Sequence, residues 1–244
     1  YKRLNSYFAN CELTPTGLPS KEELALLEPF RNEIPKEVFG ESFKSNITKG
    51  DGNIRKELSE ASNILKKQGW IFENGILVKN GQKFEFEILL GSSSMEKVLN
   101  PFIKNLGKLG IVAKMRIIDE VAYANKVKNF DYDMTIRNFR VSLSPGNEQK
   151  NYWGSEASNI LGSNNYIGIK SPAVDSMINH IITAKNRDNL IVAVKALDRI
   201  LMNNYYVVPN WYTPVTRVAY WNKFGQPKVL PKYGINIFSW WIEE

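Results

Sequence analysis

The chain has 244 residues, 43% of them hydrophobic and 23% charged, with a net charge of +7. That supports one large or two small domains, and no apolar run approaches the roughly 20 residues a membrane-spanning helix needs. A single cysteine, Cys11, and a single histidine, His180, exclude an internal disulfide and a Cys/His zinc site.

The first residue is Tyr, with neither an initiator Met nor a leader pattern after it. The start therefore reads as that of a fragment or a processed chain. Residues 1–20 are irregular, punctuated by Pro15, Gly17 and Pro19. Ser20 is placed to cap a short helix, "KEELALLEP", with Glu23 as its capping-box partner. A second helix follows Asn53 as cap, with Ile54, Leu58, Ala61 and Leu65 on one face and Gly69 as its stop.

Asn74-Gly75 and Asn80-Gly81 mark hairpin turns between short strands near 70–72 and 76–78. Alternation of Phe84, Phe86, Ile88 and Leu90 with Glu85 and Glu87 predicts a strand over 83–90. A helix follows, with Met95, Val98, Leu99, Phe102, Ile103, Leu106 and Leu109 on one face and Pro101 as a local kink. Then come "IVAKMRII" as a strand, a short helix over 119–129 and a third strand over 132–138. Strand–helix–strand–helix–strand in this order predicts parallel strands joined by helical crossovers. The fold class is α/β.

Two further helices are expected. The first carries Val174, Met177, Ile178, Ile181 and Ile182 as its apolar stripe, and His180 falls off it, which reads as a solvated histidine. The second carries Leu190, Ile191, Val194, Leu197 and Leu201. The tail changes character. It holds two short strand candidates joined by Thr213-Pro214 and then an aromatic, proline-rich stretch to the end.

"SLSPGNEQKNYWGS", residues 142–155, follows the third predicted strand. In open α/β sheets, ligands bind at the carboxyl ends of the strands. Ser142, Ser144, Asn147 and Gln149 offer hydrogen-bonding groups there, and Tyr152 and Trp153 can wall an apolar pocket. Arg137, Asn138 and Arg140 lie just before, and a guanidinium can clamp a carboxylate. The ligand-facing group is thus Asn138, Arg140, Ser142, Ser144, Asn147, Tyr152 and Trp153, with Trp211 and Tyr212 in second rank. The competing view of this stretch is a surface cap with its aromatics packed beneath it.

Nothing in the chain pairs a nucleophile with a base, and no Gly-rich phosphate loop follows a strand. No catalytic residue, metal site or cofactor is assigned. Two rival functions remain: a hydrolase using Asp131 and Asp133, and a basic module that binds nucleic acid.

Four stretches carry a family likeness: "NSYFANCELTPTGLPSKEELALLEPFRNEIPKEVF", "GNIRKELSEASNILKKQGW", "FDYDMTIRNFRVSLSPGNEQKNYWGS" and "YYVVPNWYTPVTRVAYWNKFGQP". Together they resemble the C-terminal part of family-five extracellular solute-binding proteins, in particular the YejA-like branch of oligopeptide receptors. The resemblance implies a type II periplasmic-binding-protein lobe with a parallel βαβ core. Its divisions would be an entry segment over 1–40, a ligand-binding lobe over 41–205 and a returning segment over 206–244, with the N-terminal lobe outside this chain. It further implies a monomeric periplasmic receptor that closes on an oligopeptide and delivers it to an ABC-importer permease, with no nucleic-acid partner and no enzymatic activity.

One departure from the family stands out. Peptide receptors of this family often carry an aspartate in a W-x-x-D-x-x-x-P stretch, where it meets the ligand's α-amino group. The corresponding "NFRVSLSPGN" has Ser142 and Ser144 near that place and no acid. A ligand with a blocked N-terminus, for example a formylated one, is the expectation that follows.

Overall fold

A computed structural model describes residues 1–229 and 235–243. The strands are β1 (Lys2–Arg3), β2 (Ile71–Glu73), β3 (Ile76–Lys79), β4 (Gln82–Lys83), β5 (Glu85–Leu90), β6 (Val112–Ile117), β7 (Met134–Thr135), β8 (Trp211–Tyr212), β9 (Phe224–Gly225) and β10 (Trp241–Ile242). The α-helices are α1 (Lys21–Leu27), α2 (Arg55–Lys67), α3 (Glu96–Lys108), α4 (Glu120–Lys128), α5 (Glu148–Trp153), α6 (Pro172–Ile182) and α7 (Arg187–Asn203).

β5 is the centre of a parallel sheet ordered β6-β5-β7. The chain reaches β6 from β5 through α3, and β7 from β6 through α4, so the predicted crossovers are present. Phe86, Ile88 and Leu90 turn to one face of β5, where Ile88 and Leu90 join Leu99, Phe102 and Ile103 of α3 in a small core. Val98 lies outside it, more than a third exposed. The opposite face carries cross-strand ion pairs, Lys114–Glu85 at 3.3 Å and Arg116–Glu87 at 3.5 Å. Pro101 stands inside α3, which continues through it rather than being interrupted. Its ring is on the solvent side.

The third strand is shorter than predicted. Only Met134 and Thr135 pair with β5, not 132–138. Ile136 still packs on the sheet's core, but Phe139 packs on Tyr7 and Trp153 at ring distances of 5.6 and 4.9 Å. Burial of that ring against the second core draws the backbone off the sheet edge.

The second core is larger. Val174, Met177, Ile178 and Ile181 of α6 face Val194, Leu197, Ile200 and Leu201 of α7. Residues 1–40, expected as an entry segment, contribute Tyr7, Phe8, Leu13, Leu27, Ile34 and Val38 to it. Ser20 caps α1 by accepting from the Glu23 amide at 3.1 Å. The Glu23 carboxylate does not return the bond as a capping box requires. It turns inward to Arg199 at 2.7 Å, while that guanidinium also donates to the Gly40 and Gly17 carbonyls. A buried guanidinium takes this many acceptors because each unsatisfied donor is costly.

Other local expectations shift by a residue or hold. The N-cap of α2 is Ile54 rather than Asn53, whose Oδ1 accepts only a long 3.4 Å contact from the Arg55 amide. Gly69 ends α2, with the Trp70 amide donating to Leu65 and the Gly69 amide to Lys66. Both Asn-Gly pairs adopt positive φ and turn the antiparallel meander β2-β3-β4. His180 is exposed on α6.

In the tail, residues 207–210 are irregular, and the Asn210 carbonyl accepts from the Leu4 amide. β8 pairs antiparallel with β1, Trp211 opposite Arg3 and Tyr212 opposite Lys2. The second strand candidate after Pro214 does not form, and β9 pairs instead with β10. Within the expected return segment, 230–234 and 244 lie outside the described residues.

Candidate functional site

The chain leaves β7 at Thr135, at the carboxyl end of the parallel strands, and runs irregularly to α5. Thr135 is held there by its hydroxyl, which donates to the Leu89 carbonyl at 2.9 Å and meets the Tyr123 hydroxyl at 2.9 Å. Asn138, Arg140, Ser142, Ser144 and Asn147 are all exposed along this run. Asn138 and Arg140 make no side-chain hydrogen bond or ion pair among the described residues. Ser142 Oγ accepts from the Ser144 amide at 3.1 Å, a local turn that leaves both hydroxyls at the surface.

The loop is strapped from a distance. Arg187, at the start of α7, donates to the Leu143 carbonyl and pairs with Glu12, and it lies 3.5 Å from Ser144 Oγ. Ser144, Pro145, Gly146 and Asn147 then form one wall of a cavity of about 360 Å³ whose other wall is the α6–α7 turn. Arg187 was not a sequence candidate. Its contact partners are 44 and 175 residues away, so no local pattern marks it.

Trp153 is a correction. It is only 2% exposed and its indole N–H donates to Gln149 Oε1 at 2.9 Å, one turn back on α5. The ring lies against Tyr7 and Phe139 in the larger core. It therefore walls the inside of this lobe, not a ligand pocket, and Gln149 is consumed in satisfying it. Tyr152 is half-buried, 6.1 Å from Phe139, with part of its surface open. Trp211 and Tyr212 are half-buried on β8. No ring contact or hydrogen bond joins them to residues 138–153 among the described residues.

Arg137 is half-buried. Its guanidinium lies 4.1 Å over the Tyr166 ring and donates to the Tyr166 hydroxyl, which donates in turn to Asn164 Oδ1 at 2.6 Å. The Tyr132 hydroxyl donates to the Tyr166 carbonyl at 2.7 Å and holds the backbone below. Burial pushes the Tyr132 hydroxyl's pKa up, so it stays a neutral donor.

Carboxylates near the loop are engaged. Glu148 accepts from the Gly146 amide at 2.9 and 3.0 Å and from Gln149. Asp131 pairs with Lys126, and Asp133 accepts from the Glu87 amide at 2.9 Å, continuing the sheet's ladder. The two aspartates serve separate structural ends and form no paired acid–base site. Behind the loop, Asp198 of α7 accepts from the Tyr7 amide at 2.8 Å; burial pushes its carboxyl pKa up to about 7, against the bonds from Tyr7 and Ser6 and the Arg199 charge. Burial also pushes the Tyr7 phenol up. Among the described residues no group of acids, histidines or cysteines is arranged to hold a metal ion, and no helix is long and apolar enough to cross a membrane.

No protein-family model matches the chain. Two binding proteins of Agrobacterium fabrum do. The probable peptide-binding protein YejA is 38% identical over 99% of this chain and 40% of its own length. The chain is thus similar to the YejA-like binding proteins over nearly all of its own length. The peptidoglycan-binding protein YepA is 34% identical, again over 99% of this chain and 40% of its own length. The chain thus spans about two fifths of these curated relatives. Both are named as binding proteins, not enzymes. Among solved structures, the oligopeptide-binding protein AppA of Bacillus subtilis, in complex with a nonapeptide, superposes with a TM-score of 0.58 at 20% identity, over 91% of this chain and 45% of AppA. That likeness bears out the fold class: a lobe of the type II binding-protein architecture.

Proposed function

We propose that this chain is the ligand-facing lobe of an ABC-importer receptor that captures oligopeptides in the periplasm and passes them to a membrane permease. The observation that carries the reading is the run 138–147 that follows the carboxyl end of β7. The side chains of Asn138, Arg140, Ser142, Ser144 and Asn147 are exposed there, while the carboxylates around it are engaged. Hydrogen bonds from such groups to a peptide's main chain take no account of side-chain identity, and water fills what the ligand does not. A relative named as peptide-binding, another named as peptidoglycan-binding and a fold relative holding a nonapeptide support a peptide as the shared ligand chemistry.

In this reading the ligand-facing residues are Asn138, Arg140, Ser142, Ser144, Asn147 and the open edge of Tyr152, with Trp211 and Tyr212 flanking from β8. A second lobe closes from the other side. The β1–β8 pair is where the entry and return segments run side by side, and it serves as the hinge. The return segment offers exposed apolar rings to that second lobe: Trp221 is 78% and Phe238 94% exposed. With no acid along 138–147 to meet an ammonium, the preferred ligand is N-blocked.

The test is titration of the 15N-labelled chain with a short peptide, N-formylated or with a free amine. Binding is expected to move the amides of 138–147 and to favour the formylated form. Formylated and free peptides that bind equally would remove the N-block. Peptides that leave these amides unmoved would return the run to a surface cap.

A further inference from the structure

We infer that the cavity between segments 40–46 and 203–209 is a binding site for a neutral saccharide, separate from the run 138–147. Its volume is about 620 Å³, within the range of small-ligand sites. None of its lining residues belongs to that run. Its two walls are tied together through Arg199. That guanidinium donates to the Gly40 carbonyl at 3.1 Å, and the Arg199 carbonyl accepts from Asn203 Nδ2 at 2.8 Å. Asn203 lines the cavity and is only 6% exposed, yet its Oδ1 has no partner among the described residues. An amide oxygen left unpaired at such a depth is costly, and a ligand hydroxyl pairs it.

Tyr205 supplies the second observation. Helix α7 is capped by Asn204, and the next residue, Tyr205, stands at φ +54, the left-handed position that helices usually give to Gly. A tyrosine there is strained. Burial does not offset the strain, since the residue is 71% exposed and its ring meets that of Phe43 only edge-on, at 6.2 Å. Strain kept without a packing gain points to a functional position. Tyr205 and Phe43 both line the cavity. Arg3, Lys44, Glu37 and Glu41 line it too, with no side-chain hydrogen bond or ion pair among the described residues. Cations and carboxylates in equal number select no ion. They offer donors and acceptors side by side, and a sugar hydroxyl meets both because it donates and accepts at once. The C–H face of a pyranose lies on the negative face of an exposed phenol ring.

The experiment titrates the isotope-labelled 244-residue chain with the methyl β-glycosides of glucose, galactose, mannose and N-acetylglucosamine. At least one is expected to give saturable shifts of the Asn203 side-chain amide and the Tyr205 ring, with the amides of 138–147 unmoved. Tyr205→Phe keeps the ring and should bind as the parent does. Tyr205→Gly relieves the left-handed strain and removes the stacking face. It should raise the denaturant midpoint while lowering sugar affinity about tenfold. That opposite movement separates a binding role from a structural one. No saturable shift with any glycoside, or shifts confined to 138–147, would overturn the site. So would a Tyr205→Gly chain that is less stable than the parent, or one that binds sugar as well. Methyl β-glucuronide binding more tightly than the methyl β-glucoside would overturn the neutral class. The response of 138–147 to peptides bears on the receptor reading alone, so either proposal can fail without the other.

Discussion

Arg199 of α7 and Glu23 of α1 lie 2.7 Å apart and are both buried, and the guanidinium also holds the carbonyls of Gly17 and Gly40. One side chain thus fastens the first forty residues to the longest helix. Removing one member strands the other charge in the core. Arg199→Met or Glu23→Ala should each cost about 3–5 kcal/mol. The double variant should recover part of that loss, read as the denaturant midpoint in a double-mutant cycle.

Trp153 is a core residue in this structure, so its loss should be felt as stability. Trp153→Ala should cost about 3–5 kcal/mol. Trp153→Phe keeps most of the apolar volume and leaves Gln149 without its donor, and it should cost less. Peptide affinity in Trp153→Phe should equal that of the parent chain at a temperature where both are folded. A selective loss of affinity would put the ring back in the site.

Asp198 links stability to pH. Its carboxyl is pushed up to about 7 in the folded chain, mainly by burial, while an unfolded chain has it near 4. Between those values the folded form holds a proton that the unfolded form has released. Stability from this residue is therefore complete below about pH 4, falls as pH rises towards 7 and is flat above. Asp198→Asn should flatten the chain's stability profile in that window, measured by thermal unfolding from pH 4 to 8.

Arg187 holds the loop from outside it, through an ion pair that is partly exposed at both ends. Arg187→Ala should change global stability by less than about 1 kcal/mol. Amide exchange across 142–147 should nonetheless quicken, because the bond to the Leu143 carbonyl is lost. Unchanged exchange would mean that the Ser142 turn alone shapes the loop.

Gly110, just after α3, has φ +81, and a Cβ there would lie 2.6 Å from the Phe72 ring and 2.9 Å from the Leu77 amide nitrogen. That amide donates to the Gly110 carbonyl at 2.7 Å and ties the meander to the sheet. Gly110→Ala should cost about 2 kcal/mol or more, from left-handed strain and the backbone clash together. Chemical unfolding measures it.

What the sequence determined by itself is the set of features written within a few residues. Periodicity placed α3, α6, α7 and β5, because one buried face repeats at a fixed spacing. The Asn-Gly pairs placed the meander's turns, since few other pairs accept both left-handed conformations. The order of elements implied parallel pairing, and the polar run after the third strand marked the sheet's open edge.

Only the tertiary structure decided which way ambiguous side chains turn. Glu23 suits a capping box by spacing, but a buried guanidinium 176 residues away binds it instead. Trp153 is as plausible in a pocket as in a core until Tyr7 and Phe139 are seen against it. Strand β7 ends early as Phe139, half-buried, packs against the other core, a competition no local pattern records. Arg137 and Arg140 are equivalent as letters. The ring of Tyr166, 29 residues on, half-buries one and leaves the other in water, because partners distant in sequence set the solvation of a charge.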